Sequence, residues 1–465
     1  MPQPRRLWGG RFTRRTHPLV ERFTSSIALD ERLARYDVLG SMAHARMLTR
    51  CGIIPVSDGR RIVGGLGRIL RAIGLGRWKP DPSAEDIHTQ IQHDLERLIG
   101  PAARKLHTAR SRNDQVSTDL RLYCRDAVGR VAGSIRMLQR ALVEFASSHQ
   151  DIVIPGYTHL QHAQPVLLAH HLLAYVEMLE RDVERLADCR KRLDVLPLGA
   201  GALAGTSLPI DRRYVASLLG FARVAANSMD AVSDRDFAVE LVFVLAMLGV
   251  HLSRLAEDLI LWATEEFGIV SLGDAFATGS SLMPHKKNPD VLELVRGQAG
   301  LVIGSLSAFL TVMKALPLSY NRDLQWDKCC LFESIDRAAG ALEVLPPLIR
   351  GLGIRSGRLS RLLEADALCA TDVAEHLVTR GVPFADAHRL VGRLVVAAEH
   401  LGKRLSELSV EEMRRVSPHF DQTTRALLDP RRSVSRKRGV GSTNPRQVAR
   451  ELARWRRRLR RSTRP

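Results

Sequence analysis

The sequence predicts an all-α protein, with a long central helical bundle and a smaller helical domain at each end of the chain. Hydrophobic residues make up 45% of the 465 residues and aromatic residues only 5%, so leucine, alanine and valine supply most of the apolar mass. Leucine and alanine favour helices, and few segments show the β-branched and aromatic alternation that is typical of strands. Long segments instead repeat apolar residues at helical spacing, which indicates amphipathic helices.

Changes in the sequence pattern along the chain predict three domains. Residues 1–112 contain short helical patterns that glycine and proline interrupt, and we expect an N-terminal helical domain there. Residues 113–361 carry the long helical patterns and form the predicted central bundle. The helical segments then shorten, so residues 362–465 are predicted to form a C-terminal helical domain that ends in a basic tail. A chain of this length agrees with roughly three domains.

Three long helices are predicted within the central domain. Residues 168–186 place leucine, tyrosine and valine on one face, with charged residues between them. Residues 237–267 are apolar nearly all round, as the central helix of a bundle would be. A third helix, from about residue 290 to 315, follows Pro289, a residue that suits the first turn of a helix. Because helices that are apolar on more than one face need partners beyond their own chain, we expect an oligomer, whose size this pattern leaves open.

The chain carries a formal net charge of +19, from 69 Lys and Arg residues against 50 Asp and Glu residues. Such a charge is compatible with nucleic acid and also with anionic substrates. Much of the excess lies near the C-terminus, at residues 431–438 and 454–464, and we interpret the second run as a solvated helix end. We therefore do not expect nucleic-acid binding to be the main function.

Several features predict a cytoplasmic protein without a membrane segment. The N-terminal residues are charged and lack the apolar core of a signal peptide. The most apolar stretch, Leu241 to Val250, is shorter than the ~20 residues that a membrane span requires, so it predicts a buried helix. The six cysteines form no CxxC pair and no cysteine–histidine cluster with zinc spacing, which favours free thiols in a reducing compartment.

Three polar segments stand out against this helical background, at residues 107–115, 155–165 and 278–290. Each combines polar side chains of several kinds, and each is interpreted as a loop beside the start of a long helix. The first two of those helices are expected to begin near Asp114 and Pro165. Helix N-termini expose free backbone N–H groups and favour anions, so the three helix ends are suited to converge on an anionic ligand.

The third segment has the most specific chemistry. Residues 279–281 form a Gly-Ser-Ser loop that is able to expose consecutive N–H groups, and Lys286 and Asn288 are donors suited to a carboxylate. Removing a proton from the carbon next to a carboxylate pushes negative charge into that carboxylate, and fixed donors lower the barrier. A base on the other side of the carbon and an acid at the leaving group complete such an elimination. Ser280 is able to serve as the base only as an alkoxide, stabilised by Lys286 and by N–H dipoles.

This third segment resembles the signature of the fumarase/aspartase superfamily, whose members are helical homotetramers that eliminate fumarate from succinyl compounds. Within the superfamily, the whole chain resembles the argininosuccinate lyase family. The resemblance extends over nearly the full length of the chain. The segments that carry it, besides the signature, are residues 7–12, 111–115, 156–161, 319–328 and 441–445.

The resemblance implies an acid–base pair of Ser280 and His159. We favour Ser280 as the base on the succinyl carbon and His159 as the group that transfers a proton at the leaving guanidinium nitrogen, although the opposite assignment stays open. Glu293 matches the carboxylate that orients this histidine. Lys286 and Asn288 match the groups that hold the carboxylate and stabilise the aci-carboxylate intermediate.

The resemblance also implies the substrate, argininosuccinate, with fumarate and arginine as products, and neither a cofactor nor a metal. In the family each active site draws its three polar segments from three different subunits of a homotetramer. His88 and Arg235 match further polar residues of the family site. The expected substrate-binding residues are Ser26, Arg112, Asn113, Thr158, Asn288, Tyr320, Gln325 and Lys328.

Three positions depart from the family pattern, and they keep other functions in view. His285 replaces the glutamine that is more usual in argininosuccinate lyases, and histidine is common there in adenylosuccinate lyases. Gln92 stands where glutamate is more frequent, and Ser442 replaces a glycine. The alternatives are therefore adenylosuccinate lyase or another lyase of the superfamily, a catalytically inactive homologue that keeps the motifs, and a structural or nucleic-acid-binding homologue.

Overall fold

The computed structural model describes residues 11–14 and 16–461. The first four residues of the matched segment 7–12, and the last three residues of the basic run 454–464, lie outside the described residues. Helices dominate the described part and the few strands are short, which confirms the all-α class.

Five helices are 24 residues or longer, and three of them correspond to the long helices that the sequence predicted at 168–186, 237–267 and about 290–315. The helix predicted from about residue 290 begins at Asp290, directly after Pro289. The helix expected near Asp114 begins two residues earlier, so that Arg112 and Asn113 lie in its first turn. The long helices are Arg112–Ser148, Leu168–Leu193, Asp236–Ala263, Asp290–Met313 and Asp327–Arg350.

Shorter helices occupy both ends of the chain and the connection around residue 220. In the N-terminal part they are Pro18–Thr24, Ile27–Asp30, Ala34–Arg50, Val56–Gly74 and Ile87–Ile99. Arg212–Leu219 and Ser228–Ser233 lie in the connection. The C-terminal part holds Ser356–Leu363, Ala370–Thr379, Phe384–His400, Val410–Val416, Gln422–Leu427, Pro430–Arg436 and Pro445–Arg461. Short 3-10 helices lie at Glu31–Leu33, Gly100–His107, Asp274–Phe276, Arg322–Trp326, Asp366–Cys369 and Leu405–Glu407.

The chain divides into two compact units, and each unit is assembled from three separate stretches. The first unit comprises Met1–Ala132, Asp182–Leu248 and Gly300–Ala338. The second comprises Gly133–Arg181, Gly249–Ala299 and Ala339–Pro465. The polar segment 107–115 therefore belongs to the first unit, whereas 155–165 and 278–290 belong to the second. The division into three consecutive domains stays a prediction.

The second polar segment is a β-hairpin, so its interpretation as a loop was wrong. Strand Val153–Thr158 pairs antiparallel with strand Gln161–Leu167, and only two residues connect them. The next helix begins at Leu168, after the second strand, and not near Pro165. Proline and glycine at residues 155–156 suggested a break, yet they are accommodated where the register shifts between Pro155 and Tyr157.

The remaining strands are two residues long and pair within their own unit. Val195–Leu196 lies parallel to Arg223–Val224 in the first unit. In the second unit Val270–Ser271 lies antiparallel to Gly353–Ile354, and Thr278–Gly279 lies antiparallel to Lys287–Asn288. The last pair closes the base of the third polar segment, because its two strands flank residues 280–286.

Helix Asp236–Ala263 contains the apolar stretch from Leu241 to Val250, and most side chains of that stretch are buried, as expected. Asp236–Ala263 and Asp290–Met313 are both long and apolar enough to cross a membrane by length and composition alone. A buried core helix meets the same criterion, and 56% of the apolar window of the first helix is buried.

Helix Asp290–Met313 differs, because only 28% of its apolar window is buried. Leu294, Leu301 and Leu310 are each more than half exposed. Leu294 and Leu301, seven residues apart, lie on the same side of the helix, whereas Leu310 lies on the opposite side. Exposed leucines on two sides of one long helix indicate surfaces that pack against partners.

The C-terminal helix Pro445–Arg461 is packed, although its arginines are solvated as predicted. An apolar stripe faces inward, formed by Val448, Leu452, Trp455 and Leu459. The indole Nε1 of Trp455 donates a 3.0 Å hydrogen bond to Glu177 Oε1. Because Trp455 is only 1% exposed, the basic tail is anchored by its largest side chain.

We expect the substitution Trp455→Ala to lower the free energy of unfolding by about 3–5 kcal/mol, since it removes a buried aromatic side chain and leaves a cavity. Arg456→Ala, on the exposed side of the same helix, is expected to change it by less than about 0.5 kcal/mol. Urea denaturation followed by circular dichroism measures both, and equal unfolding curves for the two variants would contradict the packing.

Candidate active site

A pocket of about 220 Å³ in the first unit gathers most of the predicted substrate-binding residues. His88, which matches a further polar residue of the family site, also lines it. Thr158 and Asn288, the other two predicted contacts, lie in the polar segments of the second unit. The six predicted substrate-binding residues that line the pocket are Ser26, Arg112, Asn113, Tyr320, Gln325 and Lys328.

Arg112 is the first residue of helix Arg112–Ser148, and its side chain is held by residues at the start of helix Ile87–Ile99. Asp86 caps helix Ile87–Ile99, where its Oδ1 accepts a 2.7 Å hydrogen bond from the backbone N–H of Thr89. The other carboxylate oxygen lies 3.1 Å from the Arg112 Nε. Burial would raise the pKa of Asp86, but Arg112 and other neighbours outweigh it and lower that pKa. The guanidinium also donates to the Thr89 hydroxyl and to Gln115, so its orientation in the pocket is fixed.

Asn113 is oriented by a loop from the same unit. Its side-chain amide donates a 3.1 Å hydrogen bond to the carbonyl of Ala202. The neighbouring Asp114 accepts hydrogen bonds of 2.9 Å from the backbone N–H groups of Gly199 and Gly201. Gly201 has a φ of 64°, and a Cβ atom there would lie 2.8 Å from the carbonyl oxygen of Gly205, so glycine is required at this position. Burial raises the pKa of Asp114 to about 6.

Lys328 belongs to a buried ionic network. Its Nζ lies 2.9 Å from Asp327 Oδ1 and 3.9 Å from Asp30 Oδ1. Asp327 Oδ2 accepts a 2.6 Å hydrogen bond from the Nε of Arg235, and both side chains of that pair are fully buried. Burial acts against both charges, yet the pairing lowers the pKa of Asp327 and raises that of Lys328. Of this network Lys328 and Asp30 line the pocket, and Arg235 is connected to Lys328 only through Asp327.

Burial raises the pKa of two other groups in the pocket, Asp30 and Tyr320. Asp30 accepts a short hydrogen bond from the Ser26 hydroxyl, one helical turn away. Gln325 is nearly buried beside them. The pocket thus offers hydroxyl, amide, cationic and anionic groups together.

The sequence did not single out several residues that line this pocket, namely Asp30, Glu85, Asp86, Thr89, Val116 and Arg322. Asp86 had a detectable signal, because an aspartate two residues before His88 suits the N-cap of a helix. For Asp30 the only signal in the sequence was its spacing of four residues from Ser26, which places both residues on one face of a helix. With these residues, the pocket holds carboxylates as well as cations.

The hairpin of the second unit presents His159 at its tip. His159 and Leu160 form the two-residue turn, with φ angles of 56° and 58°. Both angles lie in the left-handed region, which a two-residue hairpin turn requires and which glycine or asparagine adopts more readily. Such strain in non-glycine residues clusters at functional sites. Thr158, His159 and Leu160 are all exposed, so the turn projects the imidazole into solvent in the single chain.

Ser280 starts the loop of the third polar segment. Its Oγ accepts hydrogen bonds from the backbone N–H groups of Leu282 and Met283, at 3.3 Å and 3.0 Å. Hydrogen bonds from N–H dipoles favour a negatively charged oxygen, as a base at this position requires. Most of the loop is exposed, and Leu282 is 84% exposed.

Lys286 and Asn288 lie at the other end of this loop. The Lys286 side chain is exposed, while its backbone N–H donates to the Met283 carbonyl at 3.1 Å. Lys287 is tied back instead, because its Nζ donates to Asp274 Oδ1 at 2.6 Å and to the Leu272 carbonyl. The loop therefore leaves one of its two adjacent lysines, Lys286, available to a ligand.

Glu293 lies in the first turn of helix Asp290–Met313 and is exposed. Among the residues that the structure describes, no hydrogen bond joins Glu293, His159 and Ser280 to one another. The single chain thus gathers the substrate-binding residues of the first unit into one pocket but does not assemble the predicted catalytic group. The roles of these residues, and of Lys286, stay predictions.

Asp37, His88 and Asp119 are the described side chains whose ligand atoms come close enough to hold a metal ion, within 4.8 Å of one another. All three are buried, and Asp37 Oδ1 already accepts hydrogen bonds from His88 Nδ1 and Gln115 Nε2. A reaction without metal or cofactor stays a prediction.

A second pocket, of about 530 Å³, lies in the second unit beneath the hairpin. His159 and Leu160 form part of its wall, together with Trp262 of helix Asp236–Ala263. His171 Nε2 lies 2.7 Å from Asp258 Oδ2 at this pocket. The hairpin tip, an aromatic ring and a polar pair therefore line this pocket together.

Comparison with known families gives two matches that together cover most of the chain. A family described as lyase matches residues 10–304. A family described as argininosuccinate lyase C-terminal matches residues 367–435.

Curated relatives align over nearly their full length. The argininosuccinate lyase of Pelotomaculum thermopropionicum is 50% identical over 98% of this chain and 99% of its own length. The argininosuccinate lyase of Desulforudis audaxviator is also 50% identical, with the same shares covered. That of Thiobacillus denitrificans is 48% identical over 98% of both chains.

Solved structures support the same assignment. EDDS lyase in complex with formate is 29% identical and superposes with a TM-score of 0.85 over 99% of this chain and 93% of that chain. A class II fumarase from Schistosoma mansoni, at 16% identity and a TM-score of 0.75 over 89% of this chain and 94% of that chain, shares the fold. The chain is thus a lyase, and it belongs to the argininosuccinate lyase family.

Proposed function

We propose that the protein cleaves argininosuccinate to fumarate and arginine by an acid–base β-elimination. A base removes a proton from the succinyl carbon next to a carboxylate, the adjacent C–N bond breaks, and an acid protonates the leaving guanidinium nitrogen. The reaction is the last step of arginine biosynthesis. The observation that carries the proposal is the pocket of mixed charge in a chain that is half identical to bacterial argininosuccinate lyases.

The charges of the pocket suit the arginine end of this substrate. That end carries an α-carboxylate and an α-ammonium group, so it requires cations and anions side by side. Lys328 and Arg112 supply positive charge, while Asp30 and Asp86 supply carboxylates. Guanidinium groups bind carboxylates with two parallel hydrogen bonds, which makes Arg112 a suitable clamp.

The loop and the hairpin supply the proton-transfer groups in this proposal. Ser280 acts as the base, because two N–H groups already donate to its Oγ. Lys286 and Asn288 hold the carboxylate into which charge flows, where preorganised donors have their largest effect. His159, oriented by Glu293, transfers the proton at the leaving nitrogen, and Thr158 contacts the substrate beside it.

Fumarate absorbs in the ultraviolet, so the reaction is followed directly. We expect the purified protein to release fumarate from argininosuccinate, with turnover unchanged after dialysis against a chelator. Adenylosuccinate is run in parallel, because His285 is the residue that favours the alternative. Turnover of adenylosuccinate alone would replace the proposed substrate, and a folded protein without turnover of either would indicate an inactive homologue.

We propose further that the protein is a cytoplasmic homotetramer in which each active site is shared between copies. The exposed leucines of helix Asp290–Met313 support the oligomer, since a second copy would cover them. The exposed hairpin tip at His159 and the largely exposed loop that follows Ser280 support the sharing, since both are accessible to a neighbouring copy.

If each active site is shared between copies, two variants that are inactive alone should regain activity when they form mixed oligomers. Arg112→Met alters the first unit and His159→Asn alters the hairpin, and each alone is expected to lose at least about 100-fold in kcat/KM. When the two are denatured together and refolded, some sites receive both intact segments, so we expect the mixture to recover more than a tenth of wild-type activity. A mixture as inactive as its components would place the whole site within one copy.

A further inference from the structure

Three buried side chains from three different helices meet behind the pocket of the first unit. Asp37 comes from helix Ala34–Arg50, His88 from Ile87–Ile99 and Asp119 from Arg112–Ser148. Their side chains are no more than 2% exposed. Of the three, His88 alone lines the pocket, so the two carboxyl groups have no direct access to a ligand.

The ionisation of Asp37 decides which nitrogen of His88 carries hydrogen. His88 Nδ1 lies 2.9 Å from Asp37 Oδ1. Burial would raise the pKa of Asp37, but His88, Arg110 and Gln115 outweigh it and lower that pKa. An ionised carboxylate only accepts hydrogen bonds. Nδ1 is therefore the donor, and when the imidazole carries a single hydrogen, Nε2 holds the lone pair.

Asp119 behaves in the opposite way. Burial, the negative charge of Asp37 and a hydrogen bond to Asp37 raise the pKa of Asp119 well above its usual value. Asp37 Oδ2 and Asp119 Oδ2 are both buried and accept no hydrogen bond from any other described group. A proton retained by Asp119 satisfies both oxygens at once, because one carboxyl donates and the other accepts.

Positive charge from within the chain lies beside this cluster. The guanidinium of Arg110 offsets the charge of Asp37, and it is held by a 2.8 Å hydrogen bond to the Ser41 hydroxyl. The other titratable and charged groups that face the cluster are Asp30, Asp86, His107 and Arg112. Burial lowers the pKa of His107 to about 4, so it adds no charge at neutral pH.

Nε2 of His88 forms no hydrogen bond with the described residues, and it belongs to a side chain that lines the pocket. A lone pair at this position suits an N–H donor on the ligand. Asp30 and Asp86 lie in the same pocket, so the acceptors are grouped where a cationic nitrogen would bind.

We propose that Asp37 and Asp119 are positioning residues that share one proton and fix the tautomer of His88, so that Nε2 accepts a hydrogen bond from an N–H group of the arginine part of the substrate. This proposal rests on the proposed function for the identity of the ligand. The tautomer itself does not, because it is a property of the unliganded protein.

The test combines nitrogen NMR of the histidine rings with steady-state kinetics on the full-length protein. The spectrum distinguishes a protonated Nδ1 from a protonated Nε2, and the His88→Gln variant assigns the His88 signals. We expect wild-type His88 to carry hydrogen on Nδ1 at neutral pH. Hydrogen on Nε2 instead would overturn the proposal, whatever the enzyme assay gives.

Two isosteric variants separate the roles of the carboxyl groups. Asp37→Asn removes the anion, so we expect a mixture of His88 tautomers and a KM for argininosuccinate at least tenfold higher, with a smaller change in kcat. Asp119→Asn replaces a protonated carboxyl with a neutral amide that still donates, so the Nδ1–H tautomer should persist and KM should rise by a smaller factor. If Asp119→Asn loses the tautomer while Asp37→Asn keeps it, the assignment is wrong.

If Asp37→Asn does not fold, the NMR spectra of the wild-type protein and of Asp119→Asn still test which nitrogen of His88 carries hydrogen. A wild-type protein that turns over no argininosuccinate but shows the Nδ1–H tautomer would refute the proposed function and leave the role of the carboxyl pair intact. A wild-type protein with turnover and the opposite tautomer would refute the carboxyl pair alone.

Discussion

Replacing Ser280 with alanine is expected to lower kcat for fumarate release by ~10²–10⁴-fold, the range that a positioned acid or base contributes. The loss follows from the two backbone N–H groups, of Leu282 and Met283, that donate to its Oγ. Alanine leaves these dipoles without the oxygen whose negative charge they stabilise. KM should change much less, because the pocket of the first unit remains intact.

Ser281→Ala is the matched control, since it removes a hydroxyl from the next residue of the same exposed loop. Its kcat is expected to stay within about tenfold of the wild-type value. Stopped-flow absorbance of fumarate compares the two variants. Equal losses would mean that the loop needs both hydroxyls for its conformation, and full activity in Ser280→Ala would assign the base to another residue, His159 first.

Replacing Asp327 with asparagine is expected to destabilise the protein by about 3–5 kcal/mol, the usual cost of removing one partner from a buried ion pair. Asp327 bonds to Arg235 and Lys328 at once, and the first of these pairs is completely buried. The variant leaves two buried cations without their shared anion. Because Lys328 lines the substrate pocket, KM should rise as well.

Asp336→Asn provides the control on the surface of the same unit. Asp336 also pairs with an arginine, Arg32, but the two side chains are 52% and 42% exposed. Exposed pairs of this kind contribute ~1 kcal/mol or less. Chemical denaturation of both variants tests the comparison, and similar losses would show that burial is not what makes the Asp327 network strong.

Acid sensitivity gives the same network a second signature. The pKa of Asp327 is lower in the folded protein than its ordinary value of 3.8. A group of this kind stabilises the fold fully above its unfolded pKa, and the contribution is lost as the pH falls through the folded value. Between pH 5 and about pH 3, wild type should therefore lose more of its stability than Asp327→Asn loses.

Helix positions were predictable from sequence because they depend on local patterns. Pro289 marked the start of its helix to within one residue, and apolar spacing located the helix that begins at Leu168. The hairpin was missed because Pro155, Gly156 and Pro165 favour a break wherever they stand. The pairing partner that overrides them was not visible in the segment itself.

Residues of the candidate site were predictable when they belong to a family motif, and they were missed when only folding brings them to the site. The resemblance supplied the six predicted substrate-binding residues that line the first pocket. Asp30 was missed because an isolated aspartate on a short helix looks like a surface residue. Asp30 becomes part of the pocket only because folding places it near Lys328, which lies almost 300 residues later in the sequence. The buried stripe from Val448 to Leu459 has a helical period, but the surrounding arginines concealed it in the sequence.

In the proposed mechanism, the left-handed turn at His159 and Leu160 sets stability and catalysis against each other. Each non-glycine residue in that region of φ costs on the order of 1 kcal/mol, so glycine at residue 160 would relieve the strain. It would also widen the range of orientations open to the neighbouring imidazole. Selection for heat resistance would therefore favour glycine at this turn, whereas selection for turnover would remove it. We expect thermostabilised variants that stay active to keep the strained turn and to gain stability from substitutions elsewhere.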